Sequence, residues 1–328
     1  MKIFVPGAGA RMIPPLKVVA GVGEVIVSTN DPWGAGVFLA DRAYPLPAFE
    51  EPGCAEGVLA IYERERFDAC LPVLDSALLF FARHRDRFRD APFRLGMAEP
   101  DVVEMACDKV RMVGSLAGCG LPVPPTWTFA EYLAGPGCRL PCFLKPRFPE
   151  DRDFGRAVYV RLEDDTDVGY WAKKLAGGLD RHVVQPVLEG QEFNINFFCD
   201  ASGEVRSVVT IRVIDNTPGG AILRGEIVRD ARFSGFVRSL AGAVRLWGAN
   251  QLQAIVSPEG EISFVEINVR LSGSSPFVSA AGADEFANTV RLLRGEPVSF
   301  PGRVRPLRQT RWDHLHFFEG EPTGPARP

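Results

Sequence analysis

The chain has 328 residues, enough for two or three lobes and a sizeable core. With 37 basic against 41 acidic residues and a net charge of −4, it carries no electrostatic footprint for nucleic acid or an anionic membrane, so anionic ligands must be met by local clusters. No apolar run approaches membrane-spanning length, Met1–Val5 runs into Pro and Gly without a signal-peptide core, and the 7 scattered cysteines contain no C-x-x-C pair; a cytoplasmic protein with reduced thiols is expected.

In chain order, Lys2–Val5 predicts a buried strand. Gly7-Ala8-Gly9-Ala10-Arg11 follows, then an amphipathic stretch to Ala20. This is the strand–turn–helix start of nucleotide-binding α/β domains, but the glycine pattern is incomplete and a plain tight connection accounts for it as well. Glu24–Ser28 predicts a second strand, closed by Thr29-Asn30-Asp31-Pro32. Cys54–Phe67 has helical spacing, Asp68–Val73 reads as a short strand and Ser76–His84 as a helix. Strands alternating with helices predict a parallel sheet covered on both faces. Asp101–Gly120 reads as an interrupted helix whose second part begins at Cys107-Asp108-Lys109 and is ended by Gly118, Gly120 and Pro122.

Leu140–Lys145 predicts a buried strand ending in a lysine that cannot be left unpaired. The loop Phe148–Val158 carries Glu150, Asp151 and Asp153 and a single glycine, Gly155. Strands are expected at Val158–Val160 and His182–Gln185, with a helix around Asp167–Leu175 between them. Phe193–Cys199, Val205–Val213 and Ala221–Arg229 predict three antiparallel strands joined by Gly-containing turns. Arg212 and Arg224 on these strands suit a phosphate or carboxylate ligand, or equally surface ion pairs. Ala231–Leu246 has helical periodicity, and Asn250–Val256 pairs through Ser257–Gly260 with Ile262–Ile267. Arg311–Phe318 reads as a last strand with Arg311 and Asp313 on one face, either lining an acceptor site or forming solvated ion pairs.

The strand from Ile262 is the most informative. Glu266 and Asn268, two residues apart, point to one face, and Arg270 takes the next such position. A carboxylate and an amide oxygen on one face suit Mg²⁺, which keeps waters and phosphate oxygens as further ligands. Arg270 suits bidentate contact with phosphate, and the Ser272–Ser275 turn opens a helix whose first N–H groups attract anions. An edge strand with solvated polar residues is the plainer reading; the apolar flanks weigh against it.

The run Glu266-x-Asn268-x-Arg270-x-Ser272-x-Ser274-Ser275 resembles the metal-binding strand of the ATP-grasp superfamily, most of all the carbamoyl-phosphate-synthase large-subunit branch. Further matches fall in order: Gly7-Ala8-Gly9, Asp31-Pro32, Leu39–Arg42, Leu71–Asp75, Asp108-Lys109, Leu140–Arg147 and Val183–Phe193. The resemblance implies an α/β and α+β chain: a parallel-sheet pre-ATP-grasp lobe over about 1–100, then a two-subdomain ATP-grasp fold over about 101–300 (small subdomain about 125–188, large about 189–300), and a C-terminal strand and tail at about 301–328.

It also implies ATP and two Mg²⁺, with Mn²⁺ as a substitute. Lys109 and Lys145 would hold phosphates, the backbone of Val187 and Leu188 and the side chain of Gln185 would meet adenine, and Glu192 the ribose hydroxyls. Gln253, Glu266 and Asn268 would bind metal, and Arg270 the transferring phosphoryl group. The loop holding Gly155 stands where the family has a glycine-rich flap; its acids repel phosphate, which Arg156 or Arg152 would offset. Arg212, Arg224, Ser274, Arg311 and Asp313 are the substrate-side candidates.

The implied chemistry phosphorylates a carboxylate to an acyl phosphate, which an amine then displaces, giving ADP and phosphate. The expected partners are small-molecule carboxylate and amine substrates and a second copy of the chain, without nucleic acid or membrane. Two rivals stand beside this reading. One is a non-catalytic ATP-binding protein with a decayed grasp, to which the acid-rich loop points. The other is a carbamoyl-phosphate-type reaction, against which the single grasp unit speaks.

Overall fold

The computed structural model describes residues 1–7, 9–135, 137–151, 158–217, 220–300 and 302–311. The chain forms two compact units, each discontinuous in sequence. The first comprises Met1–Val103, Asn194–Gln251 and Asn268–Pro328; the second comprises Glu104–Phe193 and Leu252–Ile267.

The first unit begins with five strands: β1 (Lys2–Pro6), β2 (Glu24–Thr29), β3 (Arg42–Pro45), β4 (Ala69–Cys70) and β5 (Arg94–Leu95). They form one sheet in the order β3-β2-β1-β4-β5, and each neighbouring pair is parallel, as the alternation of strands and helices predicts. Residues Ile3–Pro6 are buried on both faces, the mark of a parallel strand covered by helices on each side. Helix Cys54–Glu65 buries Cys54, Ala55, Val58, Ile61 and Tyr62, a three-and-four spacing that makes one apolar stripe.

The amphipathic stretch toward Ala20 narrows to a helix at Ile13–Lys17, with proline at its first turn and Gly21 at φ 81° beyond it. The predicted strand Asp68–Val73 narrows to Ala69–Cys70, because Pro72 has no N–H to extend the ladder. Ile3, Val5, Ile13, Leu16, Val25 and Val27 pack with Phe198, Leu271, Phe286 and Val290 into one core of the unit.

In the second unit β6 (Trp127–Thr128), β7 (Cys142–Pro146), β8 (Val160–Leu162) and β9 (His182–Pro186) form an antiparallel sheet in the order β6-β9-β7-β8. Cys142 and Leu144 alternate into a core with Phe129, Leu162, Leu175 and Val184, so Phe143 and Lys145 point the other way. The interrupted helix is two helices, Pro100–Cys107 and Lys109–Gly118, broken where Asp108 leaves helical geometry and caps the second.

The remaining strands are β10 (Gln191–Cys199), β11 (Val205–Asn216), β12 (Ile222–Val228), β13 (Gly248–Val256), β14 (Ile262–Asn268) and β15 (Arg308–Thr310), ordered β14-β13-β10-β11-β12-β15. β12 pairs antiparallel with β11 and with β15. The last strand among the described residues thus ends just before Arg311. Arg311 N still donates to Leu223 O at 2.9 Å, and the rest of the predicted strand, including Asp313, lies outside the described residues. Helix Arg232–Ala243 buries Phe233, Val237 and Leu240. Among the described residues no helix is long and apolar enough to cross a membrane.

Candidate active site

Three charges from distant parts of the sequence converge in the second unit. Lys145 stands on the face of β7 opposite Leu144. Burial pushes its ammonium down to about 8; the positive charge of Lys109 lowers it further, and the carboxylate of Glu266 works the other way. None of Lys109, Lys145 and Glu266 has an ion-pair partner within 4 Å among the described residues. Two ammonium groups and one carboxylate are thus near enough to act on one another electrostatically without forming an ion pair.

Asp108 and Arg147 tie together the elements that carry the two lysines. Asp108 is 3% exposed and caps its helix by accepting from Val110 N at 3.0 Å. Arg147 Nε and Nη2 donate to the two oxygens of the same carboxylate at 2.8 and 2.7 Å. Lys109 N donates to Arg147 O at 3.2 Å. Burial opposes the charged form of Asp108, yet Arg147 and the cap N–H groups outweigh it and keep the carboxyl below its ordinary range. The start of the Lys109 helix is therefore locked to the end of β7, two residues past Lys145.

One acid of the loop after β7 is also tied off. Asp151 is 2% exposed and accepts from Arg181 Nε at 2.7 Å and from Phe148 N at 3.1 Å. It is neutralised by Arg181 rather than standing free to repel phosphate. Gly155, Arg156 and Arg152 lie outside the described residues.

Along the strand expected to meet adenine, Gln185 is buried and donates through Nε2 to Thr126 Oγ1 at 2.7 Å. Its side chain braces the strand from inside. Val187 and Leu188 follow as half-buried residues outside any strand, with main-chain groups not committed to a sheet ladder. Gly190 has φ 148°, and a Cβ there would lie 2.2 Å from Val256 O, so only glycine fits. Glu192, the second residue of β10, is half-buried, and Gln191 Nε2 donates to its main-chain oxygen at 3.0 Å. Gln253 is half-buried on β13, on the same face as Gln251 by alternation.

In the first unit Asn268 ends β14, two residues after Glu266. Its Oδ1 accepts from Arg270 Nη2 at 3.1 Å, and its Nδ2 donates to Gln251 Oε1 at 3.3 Å. Arg270 grips Asp75, with Nε on Oδ1 at 2.6 Å and Nη2 on Oδ2 at 2.5 Å, and donates through Nη1 to Leu271 O at 3.2 Å. Arg270 is thus oriented by a bidentate carboxylate from the start of helix Asp75–Arg83.

Behind Asn268 runs a buried amide chain with one sense. Gln251 Nε2 donates to Asn196 Oδ1 at 3.3 Å and to Ser272 and Ser274 Oγ at 3.1 and 2.6 Å. Asn196 Nδ2 donates to Glu285 Oε1 at 3.3 Å. Glu285 is 2% exposed, and burial pushes its carboxyl up to about 8 against the hydrogen bonds of Ser275 and Asn196. The serine turn is part of this network. Ser272 N donates to Ser275 Oγ at 2.9 Å, Ser275 N to Ser272 O at 3.0 Å, and Ser274 Oγ to Asn196 Oδ1 at 2.8 Å. Two of the N–H groups expected to face an anion are therefore spent within the turn.

On the β11–β12 pair, Arg212 forms an ion pair with Glu226 and Arg224 with Asp215, the latter at 3.0 Å. Sequence reasoning missed Asp75, Arg147, Gln251, Asn196 and Glu285. Alternation could have flagged Gln251, on the face of Gln253; Asp108 announced itself only as a cap.

Residues 7–94 match the family described as PylC-like, N-terminal domain. No curated protein matches the chain by sequence. Among solved structures, an N5-carboxyaminoimidazole ribonucleotide synthetase in complex with ADP is similar at a TM-score of 0.74 and 14% identity, over 94% of this chain and 80% of that one. The L-amino acid ligase from Bacillus licheniformis gives 0.69 and 15%, over 89% and 74%. The biotin carboxylase domain of the Hydrogenobacter thermophilus 2-oxoglutarate carboxylase, with MgADP and bicarbonate, gives 0.68 and 17%, over 91% and 70%. Together with the parallel N-terminal sheet and the antiparallel sheets that follow it, these likenesses show that the chain has the fold of the ATP-grasp ligases.

Proposed function

We propose that the protein is an ATP-dependent carboxylate–amine ligase that phosphorylates a small-molecule carboxylate and joins it to an amine, releasing ADP and phosphate. The observation that carries this reading is the electrostatic proximity of Lys109, Lys145 and Glu266, with no ion-pair partner for any of them among the described residues. Two cations without an ion-pair partner among the described residues suit a polyphosphate, and the carboxylate near them suits the ion that accompanies it. The similar synthetase and carboxylase domain hold ADP, which supports a nucleotide for this fold.

The donor set fits Mg²⁺. Glu266 offers an anionic oxygen, while Gln253 and Asn268 offer amide oxygens, all hard ligands. Asn268 Oδ1 accepts one hydrogen bond, from Arg270, and a carbonyl oxygen has a second lone pair for a cation. When bound, Mg²⁺ would neutralise charge on the nucleotide phosphates.

The chain's own residues do the positioning. Lys145 and Lys109 hold phosphate oxygens from a strand and a helix start clasped by Asp108 and Arg147. The main chain at Val187 and Leu188 meets the adenine edge, and Glu192 accepts from ribose hydroxyls. Arg270, aimed by Asp75, stabilises charge on the acyl phosphate. Gln185 supports the hinge from within. On the acceptor side Arg311 is retained; Arg212 and Arg224 are paired on the sheet, and Ser274 shapes the turn from its buried network. A small-molecule ligase of this kind works in the cytoplasm, without nucleic acid or membrane, and as a homodimer.

The biotin carboxylase likeness favours a second reading in which bicarbonate is the acid phosphorylated. It shares the nucleotide half and differs in the acceptor. The deciding experiment measures ADP release by the purified chain with MgATP and panels of carboxylates and amines. Release stimulated by a carboxylate and an amine supports the ligase, stimulation by bicarbonate alone supports the second reading, and ATP binding without stimulated release overturns both.

A further inference from the structure

A buried carboxyl stands at the far end of the amide chain behind Asn268, and the proposed chemistry makes no use of it. Glu285 opens helix Glu285–Arg294, whose start Asp284 caps through Phe286 N and Ala287 N. Its own N–H donates to Ser279 Oγ at 3.0 Å, and its main-chain oxygen accepts from Thr289 Oγ1 at 2.7 Å, so its backbone is fixed on both sides. Among the described residues its carboxyl has no ion-pair partner. Burying an unpaired acid is costly, and an apolar side chain would fill the place without that cost. What the carboxyl provides is an acceptor for Asn196 Nδ2.

The direction of every link follows from the other end. A guanidinium has donors and no acceptor, so Asn268 must turn its oxygen toward Arg270 Nη2 and its amide nitrogen away. That nitrogen needs an acceptor, and Gln251 Oε1 supplies it at 3.3 Å. Gln251 thereby presents its nitrogen to Asn196 Oδ1 and to the Ser272 and Ser274 hydroxyls. Asn196 in turn presents Nδ2 to Glu285 Oε1 and to Ser272 Oγ, both at 3.3 Å. Serine hydroxyls rotate and take either role, so they do not set the sense of the chain. All of these residues belong to the first unit, and Asn196, Gln251 and Glu285 are at most 3% exposed, so bulk water does not compete for their polar groups. We infer that Glu285 is a positioning residue: through Asn196 and Gln251 it holds the Asn268 amide in the orientation that leaves Oδ1, and not Nδ2, for the cation. The inference deepens the ligase reading and rests on its assignment of Asn268 to Mg²⁺. It also accounts for an amide at 268, since a carboxylate there would set an oxygen against Gln251 Oε1.

The test is Mn²⁺ binding to the full chain with a non-hydrolysable ATP analogue bound, read from the electron paramagnetic resonance signal of free Mn²⁺, with analogue binding in EDTA measured beside it. Glu285→Met keeps the length of the side chain and removes the acceptor. It is expected to weaken Mn²⁺ binding by about tenfold or more, as loss of a partner behind a metal ligand does, with analogue binding in EDTA unchanged. Glu285→Gln restores an acceptor and is expected to bind Mn²⁺ as wild type does. Asn196→Leu cuts the same link from the other side, is expected to match Glu285→Met, and decides the question if that variant does not fold. A residue that only fills the core would lower the melting temperature of Glu285→Met and leave Mn²⁺ binding by the folded chain unchanged. That result, or equal weakening by Glu285→Met and Glu285→Gln, overturns the inference. Asn268→Ala separates the two levels. If it weakens Mn²⁺ binding while Glu285→Met and Asn196→Leu do not, positioning fails and the metal assignment stands; if Asn268→Ala itself leaves Mn²⁺ binding unchanged, the metal assignment fails.

Discussion

Arg147 closes both arms of its guanidinium on the carboxylate of Asp108, at 2.8 and 2.7 Å, while its main-chain oxygen accepts from Lys109 N at 3.2 Å. One arginine thus fixes a helix start and a strand end that carry the two phosphate-binding lysines of the proposed site. Asp108→Ala removes a cap and leaves Arg147 without its acid. We expect a loss of about 3 kcal/mol in unfolding free energy, the scale for breaking a largely buried pair. Urea melts measure it, and a change below about 0.5 kcal/mol, the usual range for surface substitutions, would show that the clasp is dispensable.

Lys145→Ala is expected to weaken nucleotide binding more than Lys109→Ala. Lys145 projects from a strand and is held in place by burial, so little side-chain entropy is left to lose on binding. Lys109 is the first residue of a helix and has more freedom. Titration with a non-hydrolysable ATP analogue gives the order, and the reverse order contradicts the placement of β7 in the site.

Glu266→Gln is expected to cut turnover by about a hundredfold or more while leaving the melting temperature near wild type, since the lost charge stabilises the reaction and not the fold. Glu266 has no ion pair among the described residues to lose. Unchanged turnover at saturating Mg²⁺ would remove Glu266 from the metal.

The products should be ADP and phosphate. Lys109, Lys145 and the metal ligands are assigned to the terminal phosphates, which is where a phosphoryl group leaves. Phosphorus NMR of a complete reaction decides it, and pyrophosphate would mean an adenylating enzyme.

Glu285 makes stability depend on pH. Its carboxyl is raised from an ordinary 4.5 to about 8 by burial. Between those values the folded chain keeps a proton that the unfolded chain has released, so this residue's contribution to stability falls as pH rises and is fully lost only above about 8. Glu285→Gln keeps an acceptor for Asn196 Nδ2 and abolishes the titration. Denaturant melts from pH 5 to 8.5 should show a downward slope in wild type that the variant flattens; equal slopes would place the proton elsewhere.

By itself the sequence determined the kinds of element and the order of the motifs. The apolar strands separated by helices specified the parallel first sheet. Period-two alternation put Lys145 opposite Leu144, and Glu266 and Asn268 on one face of β14, because side-chain direction in a strand is local geometry. The ordered motifs likewise sufficed to read the ATP-grasp fold. The tertiary structure alone decided the partners. Asp75 and Arg270 are 195 positions apart, Asp108 and Arg147 are 39 apart, and Asn196 and Glu285 are 89 apart. No periodicity encodes such pairs, since they depend on where the folded path returns. Burial then sets their chemistry: the low-dielectric surroundings that make an unpaired charge expensive lower Lys145 and raise Glu285, and neither shift is written in the residues beside them.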